Sequence, residues 1–181
     1  MKLTFVVPAA MLAAAAVHGA DKPTIASMYE SQIKIPESEV VSLAEAMPAA
    51  KYNYAPTAGT FAGVRTFMQQ VKHVATTNYM VCANVQGQKP PLDLGKGENG
   101  PDSIETKDAA VKFLKDSYAY CRKAALTLTP ANQLDMIPSP FGQGQMIRGA
   151  AAFIPVWHSF DHYGQMVEYA RSNGVVPPAS R

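Results

Sequence analysis

The sequence has few of the residue types that mark specialised classes of protein. Two cysteines and one tryptophan among 181 residues are too few for a disulfide-rich scaffold. The chain has sixteen lysines and arginines and fourteen aspartates and glutamates, so its charges nearly balance. It contains no run of basic residues that could bind along a phosphate backbone. We therefore predict no nucleic-acid partner. Hydrophobic residues make up 48% of the chain, which is enough for the core of one globular domain and argues against disorder.

The longest apolar stretch, residues 3–17, is too short for a comfortable membrane span. It follows Lys2 and precedes the small residues Gly19 and Ala20, which is the pattern of a secretory signal peptide. We predict a signal peptide at residues 1–20, one domain at residues 21–181, and an exported protein, periplasmic or secreted, without a membrane span. The cleavage point stays open, because a cut after Ala20 places His18 at the third position before it.

Four stretches have helical composition, and segments rich in proline and glycine separate them. We expect helices near residues 24–47, 60–86, 106–128 and 144–173. Pro36 predicts a break and a restart in the first helix, and Pro155 predicts a kink or distorted hydrogen bonds in the fourth. The polar, glycine-rich loop before the third helix is long enough to border a site. No alternation typical of strands competes, so the predicted fold class is all-α, a four-helix bundle.

Beyond the predicted cleavage point the chain has only three histidines. His158 and His162 are four residues apart in the fourth predicted helix, so they lie on one face, one turn apart. Two such imidazoles can chelate one cation, and His73 of the second helix could supply a third nitrogen. A three-histidine site leaves coordination positions for water or substrate, and it accepts zinc, nickel, iron or manganese.

The helical pattern alone leaves other interpretations open. On the second predicted helix, His73 lies about 160° from the centre of the apolar arc. On the fourth, the apolar arc lies beside the two histidines and consists of Val156, Phe160, Tyr163, Val167 and Ala170. The pattern predicts two boundary strips that could line a polar cleft. A solvated histidine pair with an unrelated His73 fits the spacing equally well. Asp161 and Gln165 are candidates for outer hydrogen-bond partners, although Asp161 fits a solvated face better.

Both cysteines fall on inward-facing positions of predicted helices. Export to an oxidising compartment favours a disulfide between Cys82 and Cys121. The alternative is two buried thiols that act as small hydrophobic side chains. A nucleophilic cysteine is the least favoured option, because neither residue has an activating neighbour in the sequence.

Several segments resemble one known family. They are EAMPAAKYNYAPT at residues 45–57, Phe61, VKHVATTNY at residues 71–79, and HSFDHYGQMVEYARSNGVVPP at residues 158–178. Together these segments are similar to the DinB/YfiT-like metalloproteins, which are distinct from the DNA polymerases of the same name. The resemblance implies a four-helix bundle in which His73, His158 and His162 hold a divalent metal ion.

The activity that the resemblance implies is broader. Members of the family include thiol-dependent S-transferases, a maleylpyruvate isomerase and proteins described as metal-dependent hydrolases. The implied mechanism is a metal ion that activates a thiol or a water molecule. Export disfavours a thiol cosubstrate, so hydrolysis or group transfer on a small-molecule substrate is the first hypothesis. The alternative is a non-catalytic bundle that binds a metal or a ligand, and an exposed helix face could support a homodimer.

Overall fold

The computed structural model describes residues 22–181, so the predicted signal peptide lies outside the described residues. This part of the chain is mainly helical, which confirms the predicted all-α four-helix class. The main elements are α1 (Ile25–Ala46), α2 (Phe67–Val85), α3 (Lys107–Ala125), β1 (Met136–Pro138), β2 (Gln145–Ile147) and α4 (Arg148–Ser172), with short 3₁₀ helices at Ala49–Lys51 and Pro178–Ser180.

The small β-hairpin before α4 was not predicted. Strands β1 and β2 are antiparallel, with Met136 opposite Ile147 and Pro138 opposite Gln145. Strands of three residues are too short to produce a recognisable alternation in the sequence. Strand β2 ends at Ile147, and α4 follows directly, so this helix begins at Arg148 rather than near residue 144.

The helices form a bundle in which α2 packs mainly against α3 and α4, and α1 packs against the same two helices. As a result, sixteen of the nineteen residues of α2 are buried, including polar ones. A capping box between Thr66 and Gln69 fixes the start of α2, because each side chain accepts a hydrogen bond from the other residue's backbone N–H. This explains why α2 begins at Phe67 and not near residue 60.

The predicted break at Pro36 is wrong. Helix α1 runs without interruption from Ile25 to Ala46, and Pro36 is buried within it. Proline removes one backbone donor, but the apolar face formed by Ile33, Val40 and Leu43 packs into the core and keeps the helix together. Helix α4 likewise continues through Pro155.

The predicted disulfide is present. Cys82 of α2 and Cys121 of α3 are bonded, with their Cα atoms 5.2 Å apart. Both residues are buried in the main core. The bond therefore ties two neighbouring helices together from within, and the alternative of two free thiols does not apply.

The segment of residues 98–104, here called the strap, crosses over α2. The buried Lys72 ammonium donates to the backbone oxygens of Pro101 at 2.8 Å and Ile104 at 3.3 Å. Gly100 has a φ of 75°, and a Cβ atom there would lie only 2.9 Å from the Thr76 hydroxyl oxygen. The strap therefore needs both a lysine on α2 and a glycine above it to approach this closely.

No helix among residues 22–181 is long and apolar enough to cross a membrane.

Candidate metal centre

The three predicted site residues come together where α2 packs against α4. His73 comes from α2, and His158 and His162 lie one turn apart on α4. One ring nitrogen from each lies within 4.8 Å of those from the other two. The ring centroids are 4.5 to 5.0 Å apart. A four-residue spacing on one helix and a third imidazole on its neighbour thus produce one compact cluster.

Hydrogen bonds on the outer side of the cluster orient two of the rings. The His73 Nδ1–H donates to the backbone oxygen of Glu98 in the strap, at 2.7 Å. A carbonyl oxygen can only accept, so His73 Nε2 carries a lone pair, and this atom is 3.1 Å from His158 Nε2. The His162 Nδ1–H donates to Gln70 Oε1 at 2.7 Å. With oxygen acceptors at Nδ1, the Nε2 atoms of His73 and His162 are the ring atoms available to a metal ion.

Gln70 links the cluster to its surroundings. Its side chain is 1% exposed, and while Oε1 accepts from His162, Nε2 donates to Gln165 Oε1 at 2.9 Å. Gln165 was a candidate for an outer hydrogen-bond partner of a histidine, but its hydrogen bond is with Gln70 instead. Gln70 itself and the Glu98 carbonyl were missed as partners. Gln70 and His73 are three residues apart on one helix, and this spacing indicated that Gln70 lies on the same face as His73.

His158 differs from the other two histidines. Within residues 22–181, its Nδ1 atom is buried and has no hydrogen-bond partner. Its Nε2 atom is directed at His73. The ring is therefore fixed by packing and by its neighbours rather than by an outer acceptor.

The electrostatic environment keeps the imidazoles neutral. Burial lowers the pKa of all three, and the neighbouring histidines and Arg65 add to the effect for His158, whose pKa falls to about 3. The pKa of His162 falls to about 4, mainly through burial and His73, and the Asp161 carboxylate opposes this shift. Neutral imidazole is the form that binds a metal ion, so the donor set fits a divalent cation.

Asp161 lies at the edge of the site. Its carboxylate is 67% exposed and 4.0 Å from His162 Nε2, beyond hydrogen-bond distance. The exposure of Asp161 agrees with the solvated face that the sequence predicts for this residue.

The predicted apolar arc of α4 is confirmed in part, because Val156 and Ala170 are buried in the core and Tyr163 and Val167 pack against it. Phe160, assigned to the apolar arc of α4, is 37% exposed, whereas His162, assigned to a boundary strip, is 6% exposed. The buried face of α4 includes Ser159, which accepts a hydrogen bond from the buried Tyr118 hydroxyl at 2.8 Å. His73 is also buried, at 7% exposure. The buried face of α4 therefore includes polar residues in addition to most of the predicted apolar arc.

Comparison with known proteins identifies a family and structures of similar fold. The family model of the DinB superfamily matches residues 32–166. A crystal structure of a DinB-like protein from Bacillus cereus ATCC 10987 is similar in fold, with a TM-score of 0.59 and 17% sequence identity over 86% of this chain and 96% of that one. No curated protein matches the chain.

Proposed function

Since this chain belongs to the DinB superfamily, we propose that it binds one divalent metal ion through His73, His158 and His162 and uses it in hydrolysis or group transfer on a small molecule. The observation that carries the proposal is the convergence of three ring nitrogens within 4.8 Å. The ion would be zinc, nickel, iron or manganese, since imidazole suits all four.

A divalent ion held by three imidazoles supplies Lewis-acid chemistry at coordination positions that remain open. The protein's own residues prepare the site for this role. The Glu98 carbonyl and Gln70 hold the Nδ1 protons of His73 and His162, which orients both rings and raises their basicity. Burial keeps the rings unprotonated, so no proton has to be displaced near neutral pH.

We also propose that the protein acts outside the cytoplasm. The pattern of residues 1–20 is that of a signal peptide, and the Cys82–Cys121 disulfide is typical of oxidising compartments. Cytosolic thiol cosubstrates would be scarce there, which favours water as the second reactant.

One observation favours a second candidate, a metal-binding bundle without catalysis. The Asp161 carboxylate near the cluster is exposed and 4.0 Å from the ring nitrogen of His162. A catalytic base is usually held within hydrogen-bond reach of its proton.

The first experiment is elemental analysis of the untagged protein, with His158→Ala as the variant. Phe160→Ala serves as the matched control, since Phe160 lies on α4 between the two histidines and is 37% exposed. We expect near-stoichiometric metal in the wild type and in the control, and loss of metal in His158→Ala. A protein that stays metal-free after dialysis against all four cations would overturn the proposal.

Activity distinguishes the two candidates. The metal-loaded protein is screened against esters, amides and phosphoesters, with and without a chelator. Turnover that disappears with the chelator and in His158→Ala supports hydrolysis or transfer. Stoichiometric metal without turnover of any compound supports the non-catalytic bundle.

A further inference from the structure

An apolar cavity lies beside the histidine cluster. It has a volume of about 440 Å³, and it lies between the loop that precedes α2 and the last turns of α4. Tyr54, Phe61 and Val64 line it from the loop, and Gln165 and Tyr169 line it from α4. Small-molecule sites commonly fall in this range of volume and have this kind of lining.

The walls of this cavity are held in place. The Tyr54 and Tyr169 rings meet edge to face with centroids 5.8 Å apart. The Tyr169 hydroxyl donates to the backbone oxygen of Arg65 at 3.0 Å, and Tyr54 accepts a backbone hydrogen bond from Phe67 at 2.9 Å. The loop is thereby fixed to both α2 and α4, so the cavity is present before any ligand binds.

A polar cavity of about 520 Å³ adjoins the apolar one. The two share Val64 and Gln165, and the polar cavity is also lined by Gln69, Gln70 and Asn99. Gln70 contacts His162 directly, so the polar cavity reaches the outer side of the histidine cluster. On α4, Gln165 and Tyr169 follow His162 by three and seven residues, which is about 4.5 and 10 Å along the helix axis.

The charges nearby disfavour an anionic ligand. The Arg65 guanidinium is already paired with Glu98 at 2.8 Å and donates to Asn99 at 2.8 Å. The Glu168 side chain contributes to the wall of the apolar cavity, where it would repel an anion. Carboxamide side chains such as Gln69 and Gln165 both donate and accept hydrogen bonds, which matches an amide or an ester.

We propose that the two cavities form one binding cleft for an uncharged small molecule with an aromatic or branched aliphatic group. The apolar cavity takes that group, and the polar cavity takes an amide or ester unit next to Gln70, the residue that contacts His162. The inference rests on the proposed function for the role of this molecule as a substrate, but its binding does not depend on the metal.

The test uses two neutral probes, N-acetylphenylalaninamide and N-acetylalaninamide, which differ only in the aromatic ring. Binding is measured by NMR titration of the metal-free protein, so that a failure of metal binding cannot mask the result. We expect the aromatic probe to bind about tenfold more tightly, and Val64→Asn to remove most of this preference. Leu134→Asn is the matched control, because Leu134 is 71% exposed and lies outside both cavities.

Equal affinity for the two probes would overturn the proposal, and so would an aromatic preference that survives in Val64→Asn. Thermal melting of both variants verifies that they fold. The metal analysis described above remains a separate measurement, so failure of this cleft and failure of the metal site are distinguishable.

Discussion

At the residue scale, the two well-oriented histidines depend on acceptors of different origin. His73 relies on a backbone oxygen in the strap, and His162 relies on the side chain of Gln70. The Gln70 contact can be removed by substitution, whereas the Glu98 contact involves only its backbone. Gln70 therefore offers the more direct test of how outer hydrogen bonds support the site.

Gln70→Leu should weaken metal binding by about 10-fold to 100-fold, because the His162 Nδ1–H would lose its acceptor while the volume stays similar. Gln70→Glu should restore it, since a carboxylate oxygen can accept the same proton. Affinity is measured by competition with a chromogenic chelator. Gln88→Leu, an exposed position after α2, is the control. Unchanged affinity in Gln70→Leu would mean that packing alone orients His162.

The lowered pKa values predict how the metal-free protein responds to acid. The pKa is about 3 for folded His158 and about 4 for folded His162, against 6.5 in the unfolded chain, so below pH 6.5 the unfolded state binds more protons. Stability should be complete above pH 6.5 and should fall as pH decreases towards 4. Each histidine contributes a slope of up to about 1.4 kcal/mol per pH unit.

Urea unfolding at several pH values between 7 and 5 measures this slope. The double variant His158→Gln, His162→Gln should show a smaller loss of stability over the same range, since carboxylates elsewhere are unchanged. An identical pH profile for the two proteins would contradict the prediction.

At the scale of elements, the strap connects α2 to the histidine cluster. Lys72 precedes His73 on α2, and the strap that it holds carries the carbonyl that orients His73. Lys72 is thus a positioning residue without contact to the ligand atoms.

Lys72→Met should loosen the strap, because it leaves the Pro101 and Ile104 carbonyls without their donor at a cost of about 1 kcal/mol each. We expect metal affinity to fall about tenfold and amide exchange to rise in residues 98–104. Lys123→Met on the exposed side of α3 should change neither. Loss of thermal stability with unchanged exchange in the strap would indicate a purely structural role for Lys72.

The helices could be predicted from the sequence because proline and glycine mark the segments between them. The continuity of α1 could not, since it depends on how Ile33 and Val40 pack against other helices. The burial of Ser159 on α4 could not be predicted either, because it depends on a hydrogen bond with Tyr118 that no periodicity of apolar residues indicates.

In the candidate site, too, some features could be predicted from local sequence and others depend on packing. The i, i+4 spacing of His158 and His162 is a local signal that places both rings on one face, whereas the approach of His73 depends on how α2 packs against α4. The Glu98 carbonyl could not be predicted, because it is a backbone group in a loop whose path over α2 depends on Lys72 and Gly100.

At the scale of the whole molecule, the disulfide and the histidine cluster lie at different positions along the axis of α2. Cys82 follows His73 by nine residues, which is about 13 Å along the helix axis. The bond joins residues separated by 39 positions, so its main effect is on the unfolded chain.

Cys82→Ala, Cys121→Ala should therefore lower the free energy of unfolding by about 3 to 4 kcal/mol. Metal affinity should change by less than a factor of about two, since the contact is remote from the ligands. Urea unfolding and chelator competition measure the two effects, with the reduced wild type as a control. A large loss of metal affinity in this variant would show that the two ends of α2 are coupled.

The disulfide also suggests an order of unfolding. It joins α2 to α3, and a metal ion on the three histidines would join α2 to α4, so three helices would form one cross-linked unit. Within residues 22–181, α1 is the helix outside this unit, held by packing and by ion pairs such as Glu37 with Arg122 and Glu45 with Lys115. Helix α1 can therefore detach without breaking a covalent or metal bond. The first partially unfolded state of this protein should be one in which α1 is released, while the other three helices keep the histidines together.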